Sequence, residues 1–292
     1  MAQERHDPAT GRSTTGHEWN GIEELETPIP RVVLFFLAAT TLIAIGYWIL
    51  MPAWPIGVTY TKGLLGIDQR TIVTKQVEDA AAARAPWTDR IDEARLDEIA
   101  ADPDLMQRVR EAGRTLFIDN CAACHGTQGT GGPGFPNLAA KAWLWGGEPE
   151  TIHETIRVGI NASHAETRVS QMMAFGRDGT LEREQVRAVA AYVRSLSDLP
   201  MSADHKALIE TGKDIFSVNC TACHGEDATG ITDMGAPNLT DETWIYGSDP
   251  QTVFATIYSG RQGLMPNWEG RLSPVNMKLL ALYVGTLGKD AK

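Results

Sequence analysis

The stretches that decide the fold are Cys121-Ala122-Ala123-Cys124-His125-Gly126 and Cys220-Thr221-Ala222-Cys223-His224-Gly225, which between them use all four cysteines of the chain. The spacing C-x-x-C-H is the attachment signature of c-type haem. Two thiols three positions apart near a helix end reach the two vinyl groups on one porphyrin edge and form thioethers. The adjacent histidine then turns its imidazole under the ring toward the iron. A redox dithiol or half of a zinc site also uses C-x-x-C. Neither calls for histidine and then glycine directly after each pair, and the two pairs lie far apart in sequence for one structural zinc. The expectation is two covalently bound haem c groups, attached at Cys121, Cys124, Cys220 and Cys223, with His125 and His224 as axial iron ligands.

Working outward, the clusters sit inside an internal duplication. Gly113-Arg114-Thr115-Leu116-Phe117 and Asn120 before the first cluster match Gly212-Lys213-Asp214-Ile215-Phe216 and Asn219 before the second. Pro136-Asn137-Leu138 matches Pro237-Asn238-Leu239, Trp143 matches Trp244, and Tyr192-Val193 matches Tyr283-Val284. The first copy is longer by about ten residues, inserted ahead of its last helix. Apolar groups recur at helical spacing over 105–119 and 205–218, each leading into its cysteines. Residues 149–158 and 250–259 read as short helices opened by proline, a favoured first helical position. Residues 181–196 and 273–287 read as closing helices, Gly126 to Gly134 reads as loop, and no stretch shows strand alternation.

In this pattern the repeats resemble the class I cytochrome c fold, which implies an all-α chain carrying two tandem domains of that kind. In that fold the first and last helices cross closely, so Gly113 and Gly212 are expected to admit an aromatic, with Tyr192 and Tyr283 as partners. The resemblance also implies a methionine on the far face of each iron, on a loop before the last helix; a thioether there raises the reduction potential. Met265-Pro266 fits directly. In the first copy, lining up Phe175 with Trp268 selects Met172 over Met173. His153 and His164 supply an alternative bis-histidine arrangement. Sequence order leaves open whether each methionine serves its own repeat or is exchanged with the other.

Val32 to Met51 is uncharged throughout. As a helix this run spans about 30 Å, the thickness of a bilayer core. Tyr47, Trp48 and Trp54 gather at its far end like an interfacial belt, and Pro52 and Pro55 stop it. It starts too deep and runs too long for a signal peptide, and no small-residue cleavage site follows. The formal net charge of -11 argues against a nucleic-acid partner. Residues 78–104, rich in acids and alanine, read as a charged, partly helical spacer. Because haem is attached covalently outside the bacterial cytoplasmic membrane, the N-terminus is expected in the cytoplasm and both haem domains in the periplasm.

Ahead of the haem motifs, Gly16-His17-Glu18-Trp19-Asn20-Gly21-Ile22-Glu23-Glu24-Leu25 and Thr27-Pro28-Ile29-Pro30-Arg31, continuing into Ile45-Gly46-Tyr47-Trp48 and Pro52-Ala53-Trp54-Pro55, resemble the diheme membrane-anchored subunit III of cbb3-type cytochrome c oxidases. Asn20, Thr27 and Met173 depart from that family's pattern without disturbing a ligand. The resemblance implies a tail at 1–31, an inner-membrane anchor at 32–55, a spacer at 56–104, and cytochrome c domains at 105–198 and 199–292. It implies an electron-transfer subunit that accepts electrons from a periplasmic cytochrome c or the bc1 complex. These would pass through a monohaem subunit to the haem-copper subunit that reduces oxygen, with no oxygen chemistry on this chain. Two rivals remain: a diheme peroxidase, which needs a haem without a firm sixth ligand, and a free-standing anchored diheme shuttle of the cytochrome c4 kind.

Overall fold

In the computed structural model, residues 5–140, 142–197 and 199–288 are described. The first four residues of the tail, the boundary residue Asp198 and the last four residues of the second repeat lie outside them. Two units divide the chain, 1–83 and 84–292.

The first unit opens with a hairpin, β1 (Thr14–Trp19) and β2 (Ile22–Leu25), and contains a two-residue hairpin of β3 (Pro55–Ile56) and β4 (Thr59–Tyr60). These strands depart from the expectation of none. Asn20 and Gly21 both take positive φ, 51° and 85°, the geometry of a two-residue hairpin turn. Because β1 and β2 are exposed on both faces along most of their length, no inward face imposes an alternating pattern on the sequence. Between the hairpins, α1 (Arg31–Leu50) buries none of its side chains against the rest of the chain. A helix apolar on all sides with no protein cover is what a bilayer accommodates. Its last carbonyls are met by the returning chain, Leu64 N–H donating to Ile49 O and Leu65 N–H to Leu50 O, which satisfies groups a helix end leaves open. Trp48 and Trp54 meet edge to face at 5.0 Å just there.

α2 (Gln69–Glu93) continues through Pro86 and is followed by α3 (Leu96–Ala101). The charged stretch expected to be a spacer ends inside a core: Ile91 and Ile99 are fully buried, in one cluster with Leu105, Val109, Leu279 and Leu282. Its charges face out while three aliphatic side chains, Ile91, Leu96 and Ile99, face in.

The helices of the repeats fall close to their expected places: α4 (Pro103–Asn120), α5 (Ala122–His125), α6 (Pro149–Val158) and α7 (Arg183–Ser195) in the first copy, then α8 (Ala203–Lys206), α9 (Ile209–Asn219), α10 (Thr221–His224), α11 (Pro250–Ser259) and α12 (Pro274–Thr286) in the second. Their assembly is crosswise. α4 packs against α12, and α9 against α7. One core unites Phe117, Ile152 and Ile156 with Trp268, Met277, Leu280 and Val284; the other unites Phe216, Val253 and Ile257 with Phe175, Leu181, Val186 and Val189. Each folded body therefore takes its haem-attachment half from one repeat and its closing helix from the other. The glycines make the crossings possible. A Cβ on Gly113 would lie 2.7 Å from Cβ of Tyr283, and one on Gly212 would lie 2.1 Å from the carbonyl oxygen of Ala188 and 2.8 Å from Cβ of Tyr192.

Candidate haem sites

The two sites are built alike. α4 ends at Cys121, whose N–H donates to Phe117 O, and the single turn of α5 then carries Cys124 and His125; α9, Cys220 and α10 repeat this in the second body. Gly126 and Gly225 follow at φ 75° and 80°, where a side chain would be strained. They turn the chain so that Gly131 N–H donates to His125 O, and Gly230 N–H to His224 O, both at 2.8 Å. Each Pro-Asn-Leu turn then brings a carbonyl under the imidazole. His125 Nδ1 lies 3.1 Å from Pro136 O, and His224 Nδ1 lies 3.1 Å from Pro237 O.

Those contacts fix the tautomer. A carbonyl oxygen only accepts, so Nδ1 carries the proton and Nε2 keeps its lone pair, the arrangement a metal-bound imidazole needs. Burial pushes both imidazoles below their ordinary pKa, toward the neutral form that ligates. Burial, reinforced by the neighbouring cysteine, raises the Cys121 and Cys220 thiols to about 11. Thioether attachment removes these ionisable groups altogether.

The crosswise assembly decides which methionine meets which pair. Met265 packs in the core that contains Cys121, and Met172 in the core that contains Cys220. The backbone holds both in place by short antiparallel bridges. Ile160 and Met265 exchange two hydrogen bonds of 2.9 Å, and Met172 and Arg261 exchange bonds of 2.8 and 3.1 Å. Met173 is 59% exposed, so Met172 is the residue of that pair turned toward the cysteines' core. His164 is engaged elsewhere, its Nε2 lying 2.6 Å from Glu269.

The residues fit haem c on an observation independent of the motif. The indole N–H of Trp244, in the same core as Cys220 and Met172, is buried without an acceptor among the described residues, as is Nε of Arg168. Buried donors normally have partners, and porphyrin propionates supply anionic acceptors for such groups. Sequence reasoning did not single out Arg168, whose guanidinium lies 5.0 Å from the centroid of the Trp145 ring. Its counterpart in the second repeat is Arg261, likewise four residues before its methionine and 4.3 Å from the Tyr246 ring, a recurrence that could have marked both.

An apolar N-terminal helix followed by two such motif-bearing bodies has the architecture of a membrane-anchored c-type cytochrome. Residues 11–58 match the N-terminal domain of cytochrome oxidase-cbb3, FixP; residues 110–197 match cytochrome c; and residues 207–284 match cytochrome C oxidase, cbb3-type, subunit III. The chain is 48% identical over 284 residues to the cbb3-type cytochrome c oxidase subunit FixP of Bradyrhizobium sp. (strain ORS 278), covering 97% of each chain. It is 42% identical to the subunit CcoP of Azospirillum brasilense, covering 99% of each. The chain belongs to the FixP/CcoP family of cbb3-type cytochrome c oxidase subunits.

Proposed function

We propose that this chain is the diheme electron-transfer subunit of a cbb3-type oxidase, with His125 and Met265 holding one haem iron and His224 and Met172 the other. Each haem, when bound, supplies an iron that takes up and releases one electron. What the chain contributes is ligand choice, orientation and burial. Pro136 O and Pro237 O orient the imidazoles, the thioethers of Met265 and Met172 would hold the iron from the other side, and the apolar cores would keep water from it. With both ligands in place no position would be open to oxygen, and oxygen reduction would fall to a separate haem-copper subunit. The observation that carries this reading is the convergence of each methionine with the first cysteine of the opposite repeat's Cys-x-x-Cys-His motif in one core.

Electrons would arrive from a periplasmic cytochrome c or the bc1 complex and leave through a monohaem subunit. Residues 1–31 would lie in the cytoplasm and both haem bodies in the periplasm, because covalent haem attachment takes place outside the bacterial cytoplasmic membrane. The acidic balance of the chain, -11 overall, favours a basic donor at low ionic strength. Purification in mild detergent tests the reading. Co-purification with a subunit containing copper and b-type haem supports it, and a chain that behaves as a solitary shuttle overturns it. An oxidised protein in which one haem lacks methionine ligation would favour the peroxidase instead.

A further inference from the structure

The two methionine seats share their backbone bridges but not their side chains. Arg157, on α6, donates to Glu154 Oε1 at 2.8 Å on its own helix, to Glu166 Oε2 at 2.5 Å in the inserted loop, and to Glu269 Oε1 at 3.2 Å, four residues past Met265. His164 Nε2 reaches the other oxygen of Glu269 at 2.6 Å, while its Nδ1 accepts from Glu166 N–H. Asn161 donates from Nδ2 to Gly263 O at 2.7 Å and to Ser170 O at 2.8 Å. One guanidinium thus joins three segments, two of them from the first repeat and one carrying Met265.

In the other body the matching positions are occupied differently. Tyr258 stands where Arg157 does, Ala255 where Glu154 does, and Gly176 where Glu269 does. There the Tyr258 ring lies on the backbone of Gly176, where a Cβ would come within 2.1 Å of it. One methionine segment is fastened by charge and the other by an aromatic ring on glycine.

We propose that Arg157, with Glu154, His164, Glu166 and Glu269, is a positioning clasp for Met265, so that the two haem sites differ in how their sixth ligand is held. The inference rests on Met265 and Met172 being the axial ligands. Half-exposed ion pairs are weakened by salt, whereas an aromatic contact on glycine is not. The Met265 seat is therefore the one that loosens as ionic strength rises.

Full-length protein carrying Arg157→Met, Glu269→Gln, Arg157→Lys or Met265→Ala tests this. The readouts are the methionine-to-iron charge-transfer absorbance, the two midpoint potentials and carbon monoxide binding to the reduced protein. Met265→Ala should remove half the absorbance; full retention would defeat the ligand assignment itself. Arg157→Met and Glu269→Gln should lower one potential only and let carbon monoxide reach one haem per chain. High salt should produce the same change in the unsubstituted chain, so the difference between it and these variants should shrink as salt rises, and Arg157→Lys should restore part of the loss. If Met265→Ala halves the band while Arg157→Met and Glu269→Gln leave both potentials and carbon monoxide binding unchanged, the clasp is overturned. Equal changes at both haems would overturn it too.

Discussion

At the residue scale, the glycines at the helix crossings show what a sequence can and cannot specify. The need for a small residue opposite an aromatic is readable because it recurs in both copies. Which aromatic faces which glycine is not, since Tyr192 and Tyr283 occupy the same position of the same motif. Gly212→Ala should destabilise the protein by about 1–3 kcal/mol through overpacking, despite a gain of about 1 kcal/mol in helix propensity. Thermal unfolding measures it. The cost should exceed that of Gly113→Ala, because the added methyl of Gly212→Ala meets a backbone carbonyl while that of Gly113→Ala first meets a side-chain Cβ. At the ligands, Met172→Ala and Met265→Ala should each lower the potential of one haem in a redox titration. Unchanged potentials in either variant would remove that methionine from the coordination shell.

At the scale of elements, helix placement was legible and its consequences less so. Periodicity and proline placed α6 and α11 at the residues observed, because caps and first-turn prolines are local chemistry. The spacer was harder. Its nine acids conceal the inward row of Ile91, Leu96 and Ile99, and burial of that row depends on α12 arriving from the far end of the chain. Lys278 on α12 fastens the arrangement, donating to the carbonyls of Ile91, Asp92 and Ala94 at 3.0, 2.7 and 2.9 Å. Lys278→Met should cost about 1.5–3 kcal/mol, the range for hydrogen bonds from a charged donor. It should also speed hydrogen exchange across 84–101 more than elsewhere. The caps add a pH dependence. Asp102 and Asp249 are held below their ordinary 3.8, Asp102 chiefly by the Leu105 N–H and Asp249 chiefly by the Thr252 side chain. A depressed carboxylate stabilises the fold above that value, and the contribution is lost as pH falls through the folded value. Asp102→Asn should flatten the acid limb of the stability profile, its cost appearing at neutral pH and fading as pH falls through the folded value of Asp102.

At the scale of the whole molecule, duplication makes the crosswise assembly possible and also hides it. Two repeats with interchangeable closing helices satisfy the same contacts whether each closes on itself or on its neighbour. Only the three-dimensional structure distinguishes the two. The N-terminal hairpin was hidden for a different reason: Asn20-Gly21 signals a turn, but strands exposed on both faces carry no periodicity to accompany it. Crosswise closure means neither repeat is complete alone. Residues 105–198 expressed by themselves lack α12 and Met265. They should attach haem at Cys121 and Cys124 yet fail to give a cooperatively unfolding, methionine-ligated species by calorimetry and absorbance. Mixing them with 199–292 should restore both signals.

Anomalous diffraction from iron in crystals of the haem-loaded protein tests the crosswise pairing most directly. The account predicts two iron peaks, one between His125 Nε2 and the Met265 sulfur and one between His224 Nε2 and the Met172 sulfur. An iron bridging His125 and Met172, or His224 and Met265, would contradict it.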